Sequence, residues 1–97
     1  MIESGVQRII IRNLEREGFY VLKLIQTNKN GIPDLLCFKK ERDRTLFFMV
    51  EVKRTDKNEL DPLQLWRQNE ITRYGMTTYI ANDWDGLQEA LMHKKII

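Results

Sequence analysis

One cysteine, one histidine and two prolines in 97 residues exclude several kinds of protein at once. A lone Cys37 cannot close an intramolecular disulfide, and it suits a reducing interior. With a single thiol and a single imidazole no structural zinc site can be assembled, so any metal is expected to be a hard ion held by oxygen. No apolar run approaches the roughly 20 residues that cross a bilayer. The opening Met1-Ile2-Glu3-Ser4-Gly5 lacks the basic and apolar regions of a secretory signal. The expectation is a soluble intracellular protein with no membrane partner. Neither sign of charge dominates: the formal net charge is +2. Binding to a polyanion would therefore need local clusters, such as Lys39-Lys40 with Arg42 and Arg44, or Lys53-Arg54 with Lys57. Each cluster reads equally well as a solvated loop. Repeats, linkers and low-complexity tracts are missing too. What is there, 42% apolar and 31% charged residues, is the composition of one globular domain spanning residues 1–97.

Periodicity orders the chain as α-β-β-β-α-β-α. A first helix is predicted from Ser4 to Glu17, where Val6, Ile10 and Leu14, with neighbouring Ile9, form a core stripe. Arg8, Arg12 and Arg16 make a second stripe that faces phosphates or water, and Gly18 stops the helix. A strand follows at Phe19–Ile25, then a polar stretch at 26–30 and the turn Gly31-Ile32-Pro33. Strands at Asp34–Lys39 and Leu46–Lys53 flank the short charged connection Lys40–Thr45, which reads as a hairpin. Asp61 suits a helix N-cap and Pro62 the first helical position, where a missing N–H has no partner to lose. Leu63, Trp66, Glu70 or Ile71, and Tyr74 mark that helix, which ends at Gly75. Met76–Asn82 is a fourth strand, and Asn82 or Asp83 caps a last helix carrying Leu87, Leu91 and Met92. The helix between the third and fourth strands predicts a right-handed crossover and a parallel pair. Trp66 and Trp84 read as core or subunit contacts rather than platforms for stacked bases.

The pattern with chemical content is Gly31-Ile32-Pro33-Asp34 followed by Val50-Glu51-Val52-Lys53. Side chains alternate along a strand, so Glu51 and Lys53 project from one face while Val52 points into a core. If Leu35–Phe38 pairs with Leu46–Val52, Asp34 joins them. Two acids then hold a divalent cation with an amine beside it, a set that hydrolyses phosphodiesters. Each residue has a plainer reading: Glu51 and Lys53 as an exposed ion pair, Asp34 as an organiser of its turn.

These pieces, in this order, resemble the VRR-Nuc (virus-type replication-repair nuclease) family of the PD-(D/E)XK superfamily. The resemblance rests on Glu3, Gly18-Phe19, Gly31-Ile32-Pro33-Asp34, Glu51-Val52-Lys53, Leu60-Asp61-Pro62-Leu63-Gln64 and Gly75. Asp61 departs mildly from the Ser or Thr often found there. The resemblance implies a restriction-endonuclease-like mixed four-stranded sheet flanked by helices. It also implies that Asp34, Glu51 and the Val52 carbonyl ligate Mg2+ or Mn2+ and that Lys53 sits beside the attacking water. Glu3 and Gln64 would reach the site from the first and second helices. Gln64 is also placed to complete a capping box with Asp61, and Glu3 to sit favourably on a helix dipole. The implied activity is a DNA endonuclease acting on branched DNA, such as four-way Holliday junctions, as a homodimer in a bacterial cytoplasm, from a cellular or viral gene. The dimer surface is expected on the fourth strand or last helix, and Arg8, Arg12, Arg54 and Lys57 are candidate DNA contacts. Competing readings are a duplex- or flap-cutting or nicking endonuclease of the same chemistry, and an inactive DNA-binding module of the same fold.

Overall fold

In the computed structural model, residues 3–53 and 60–97 are described, apart from the side chain of Glu3. Arg54 and Lys57 lie outside the described residues. The elements are α1 (Glu3–Arg16), β1 (Tyr20–Lys23), β2 (Leu35–Glu41), β3 (Arg44–Val52), α2 (Pro62–Arg73), β4 (Thr78–Ala81) and α3 (Trp84–His93). The four strands form one sheet in the order β1-β2-β3-β4. β1 with β2 and β2 with β3 are antiparallel, and β3 with β4 is parallel, as a strand–helix–strand connection requires.

One sheet face makes the core. Leu35 and Cys37 of β2, Phe48, Val50 and Val52 of β3, and Ala81 of β4 pack against Val6, Ile10 and Leu14 of α1 and Leu87 and Leu91 of α3. The four-residue spacing on α1 delivers one apolar stripe per turn, and its neighbour Ile9 falls outside that stripe and is exposed. Gly18, at φ +95°, takes the left-handed position that closes α1. Phe48 anchors the centre, with edge-on contacts to Phe19 at 5.2 Å and Tyr79 at 5.5 Å between ring centroids. Burial pushes the Cys37 thiol up to about 12, so it behaves as a small apolar side chain rather than a nucleophile.

The opposite face carries Glu51, Met49 and Phe47 on β3, Phe38 and Leu36 on β2, and Leu22 and Tyr20 on β1. α2 meets only part of it. Met49 and Glu51 are buried, whereas Tyr20, Leu22 and Phe47 stay exposed.

Four expectations need correction. The connection Lys40–Thr45 is mostly strand, with β2 running to Glu41 and β3 starting at Arg44, and the fourth strand is Thr78–Ala81 rather than Met76–Asn82. The first strand is shorter than Phe19–Ile25. Its last register pair is Lys23 with Leu35, one further bond runs from the Leu24 N–H to the Asp34 carbonyl at 2.8 Å, and Ile25 is 85% exposed. The large apolar residues that mark α2 do not form its inner face: no residue of α2 is buried, and Leu63, Trp66 and Tyr74 are exposed. The half-buried positions are instead Gln64, Arg67, Gln68, Glu70 and Ile71. The sheet beneath presents an acid and an amine, and these are satisfied by hydrogen-bonding side chains, not by leucines. Trp66 is thus no core residue, while Trp84 packs against the core.

Replacing Phe48 by Ala is expected to lower stability by about 3–5 kcal/mol, read from urea unfolding. An unchanged midpoint would mean the core is not organised around this ring.

Candidate active site

Register decides where the chemistry falls. Leu35 pairs with Val50, so the next residues outward, Asp34 and Glu51, lie across from each other at the ends of adjacent strands. The Val52 N–H donates to Asp34 Oδ2 at 2.8 Å. Asp34 is therefore tied to the backbone of the residue between Glu51 and Lys53. Val52 itself is fully buried in the core, and strand alternation turns its two neighbours to the other face. There Lys53 Nζ lies 3.6 Å from Glu51 Oε2, with both side chains largely removed from solvent.

α2 closes this constellation through Gln64. Asp61 caps the helix in extended conformation, its Oδ1 accepting from the Gln64 N–H at 2.9 Å, and Pro62 takes the first helical position. Gln64 Oε1 accepts from the Asp61 N–H at 3.2 Å and from Lys53 Nζ at 2.7 Å. Gln64 Nε2 donates to Glu51 Oε2 at 2.9 Å. The capping role and the site role are thus one arrangement: the amide that completes the capping box also bridges acid and amine.

Gly31 lies close against α2. This residue has φ +80°, and a Cβ there would sit 3.0 Å from Leu63 Cγ and 3.1 Å from the Leu63 carbonyl oxygen. The positive φ favours glycine, and any larger side chain would also press on Leu63.

The structure therefore brings Asp34, Glu51, Lys53 and Gln64 together. It leaves Arg8 and Arg12 exposed on α1, which packs on the other sheet face. α1 begins at Glu3, whose side chain is outside the described residues. Two residues escaped the sequence reading. Arg67 ties α2 to the loop before Asp34, donating from Nε to the Asn30 carbonyl at 2.8 Å; nothing in its local sequence distinguishes it from a solvated arginine. Gln7 is buried with its Oε1 unpartnered among the described residues. Its spacing from Ile10 and Leu14 already placed it on the core side of α1.

The donors suit a hard divalent cation. The carboxylates of Asp34 and Glu51, with the Val52 carbonyl, are all oxygen, and only one Asp34 oxygen is engaged by a described residue. Among the described residues no trio of His, Cys, Asp or Glu converges. A pair of carboxylates is enough for an ion that keeps several of its waters.

A mixed α-β-β-β-α-β-α sheet, with an acid–apolar–lysine strand end at its centre, has the layout of a nuclease of the PD-(D/E)XK type. A family model described as the VRR-NUC domain matches residues 6–84, and the chain belongs to that family. A solved structure described as a VRR_NUC domain superposes with a TM-score of 0.80 at 26% sequence identity, covering 94% of this chain and 95% of that one. No match is found among curated proteins. Membership implies nuclease activity, and the family generally uses divalent metals.

Glu51 has an ammonium nearby, whereas Asp34 is met only by a backbone N–H among the described residues. Asp34→Asn keeps an acceptor for Val52 and removes one like charge. It is expected to raise the melting temperature in EDTA by a few degrees, about what 1 kcal/mol gives at this size. A lower melting temperature would show that the carboxylate stabilises the fold instead of straining it.

Proposed function

We propose that this chain, as one nuclease domain over residues 1–97, is a Mg2+-dependent DNA endonuclease in which Mn2+ substitutes. We further propose that it acts on branched DNA, four-way junctions above all, as a homodimer. The observation that carries the reading is the Val52 N–H to Asp34 bond of 2.8 Å, which seats one acid beside the Glu51–Lys53 pair that Gln64 bridges.

Asp34, Glu51 and the Val52 carbonyl would hold the ion, with Glu3 assigned to a second site or to a water. When bound, it supplies neutralisation of the phosphodiester's charge and acidification of water. The rest falls to the chain. Gln64 fixes both partners by accepting from the Lys53 ammonium and donating to Glu51, so neither swings away as substrate enters. The Lys53 ammonium, fixed from one side, has donors left to orient the attacking water and to stabilise charge growing on phosphate oxygens. The water oxygen forms a new P–O bond, one ester P–O bond breaks, and the leaving oxygen takes up a proton. Arg8 and Arg12, exposed on α1, are assigned to more distant phosphates, as are Arg54 and Lys57.

The homodimer is supported by the uncovered part of the sheet. Tyr20 and Phe38 stack there with centroids 5.2 Å apart, beside exposed Leu22 and Phe47. This cluster is larger than anything on β4 or α3, where Ile80 and Met92 are exposed. A sheet with apolar side chains on both faces calls for a layer on each, and a two-fold axis would present one site to each of two strands. Among the described residues no helix is long and apolar enough to cross a membrane; the bacterial cytoplasm is the proposed compartment.

Labelled duplex, flap and four-way junction DNA, incubated with Mg2+ or EDTA, tests the reading. Junction cleavage that needs the metal and is lost in Lys53→Ala and Asp34→Asn is expected. Faster cutting of duplex or flap would move the substrate, and no cutting of any of them would leave a binding module. Light scattering at micromolar concentration is expected to give a dimer that Phe47→Asp turns into a folded monomer. A monomeric parent chain would remove the junction-resolving form of the idea.

A further inference from the structure

We propose that Arg67 is a positioning residue for the reaction, acting through Gln64; this rests on the nuclease reading above. α2 carries Gln64 into the site, yet it buries no residue of its own. Apolar packing therefore contributes little to holding it, and polar ties must set its height over the sheet. Gln68 contributes a long one, from Nε2 to the Thr78 carbonyl at 3.5 Å. Besides the bonds of Gln64 itself to Lys53 and Glu51, Arg67 contributes a short one.

The Arg67 side chain is only 12% exposed, unusual for an arginine on a helix without buried residues. Its guanidinium has three neighbours: Nη1 lies 2.7 Å from Glu70 Oε1, Cζ lies over the Trp66 ring 4.9 Å from its centroid, and Nε donates to the Asn30 carbonyl at 2.8 Å. Trp66 and Glu70 aim the fork, and Asn30 receives it. That carbonyl is a firm anchor, because its loop runs directly into Asp34. Asp34 is held by the bonds from the Leu24 and Val52 N–H groups, each 2.8 Å. Next to Asn30, Gly31 rests against the backbone of Leu63, one residue before Gln64. Arg67 thus hooks the helix bearing Gln64 to the loop that leads into the strand end bearing Asp34. A lysine could keep one of these bonds but not the planar fork that makes them together.

The test pairs steady-state cleavage with hydrogen exchange on the intact chain. Arg67→Ala is expected to lower kcat by roughly ten- to a hundredfold with little change in KM, and Arg67→Lys to recover part of the loss. In a Gln64→Ala background the further loss from Arg67→Ala should nearly vanish, since the two act as one unit. Amides of α2 should exchange roughly tenfold faster in Arg67→Ala while those of β2 and β3 keep their protection. Additive losses in kcat, uniform loosening of the whole chain, or unchanged exchange in α2 would each overturn the proposal. A parent chain that cuts no nucleic acid would instead defeat the nuclease reading, and the exchange pattern would still decide whether Arg67 fixes α2. Should Arg67→Ala not fold, Arg67→Lys carries the same exchange and kinetic comparison.

Discussion

The bond from the Val52 amide to the Asp34 carboxylate depends on one constraint, the register of β2 against β3. Val50 and Val52 are buried completely, and the strand period is two, so Glu51 and Lys53 have no choice of face. The same register sets Asp34 opposite Glu51. A slip of one residue would bury an acid and an amine, expose two valines and carry Asp34 away from its partner. The core thus enforces the site's geometry, though no core side chain takes part in its chemistry: Val52 contributes only backbone atoms.

α2 shows the opposite economy. A helix built for stability would turn leucines toward the sheet, and this one turns Gln64, Arg67 and Gln68 there while Leu63, Trp66 and Tyr74 face out. An apolar inner face would have left the buried carboxylate of Glu51 and the ammonium of Lys53 against hydrocarbon, which is costly for charged groups. The helix accepts weaker packing in exchange for hydrogen bonds to both. Functional sites are where such local departures from folding rules are expected.

The two layers on either side of the sheet therefore differ in kind. α1 and α3 pack on the apolar core, with Phe48 between Phe19 and Tyr79. The other side combines a polar site under α2 with an open apolar area around Tyr20 and Phe47. A dimer formed over that area would rest on the same strands that carry the site, so assembly and chemistry would share one scaffold.

Much of this was legible in the residues. The order of elements, the core stripe of α1, the Asp61-Pro62 helix start and the opposed faces of Val52 and its neighbours all follow from local spacing, because backbone periodicity and capping act over a few residues. The family resemblance, too, lies in short motifs whose order survives without coordinates. What local spacing could not decide was anything that depends on what lies across a gap. The inward face of α2 is polar because of Glu51 and Lys53, which lie on another element. Gln64 serves as cap and bridge together because Lys53 happens to stand within 2.7 Å. Arg67 is tied down because an exposed loop offers it the Asn30 carbonyl. The sequence by itself determined the order of strands and helices and which way the residues of the central strand point. Only the tertiary structure decided which side chains meet, since contact between distant segments is set by packing the whole core, not by any pattern within one segment.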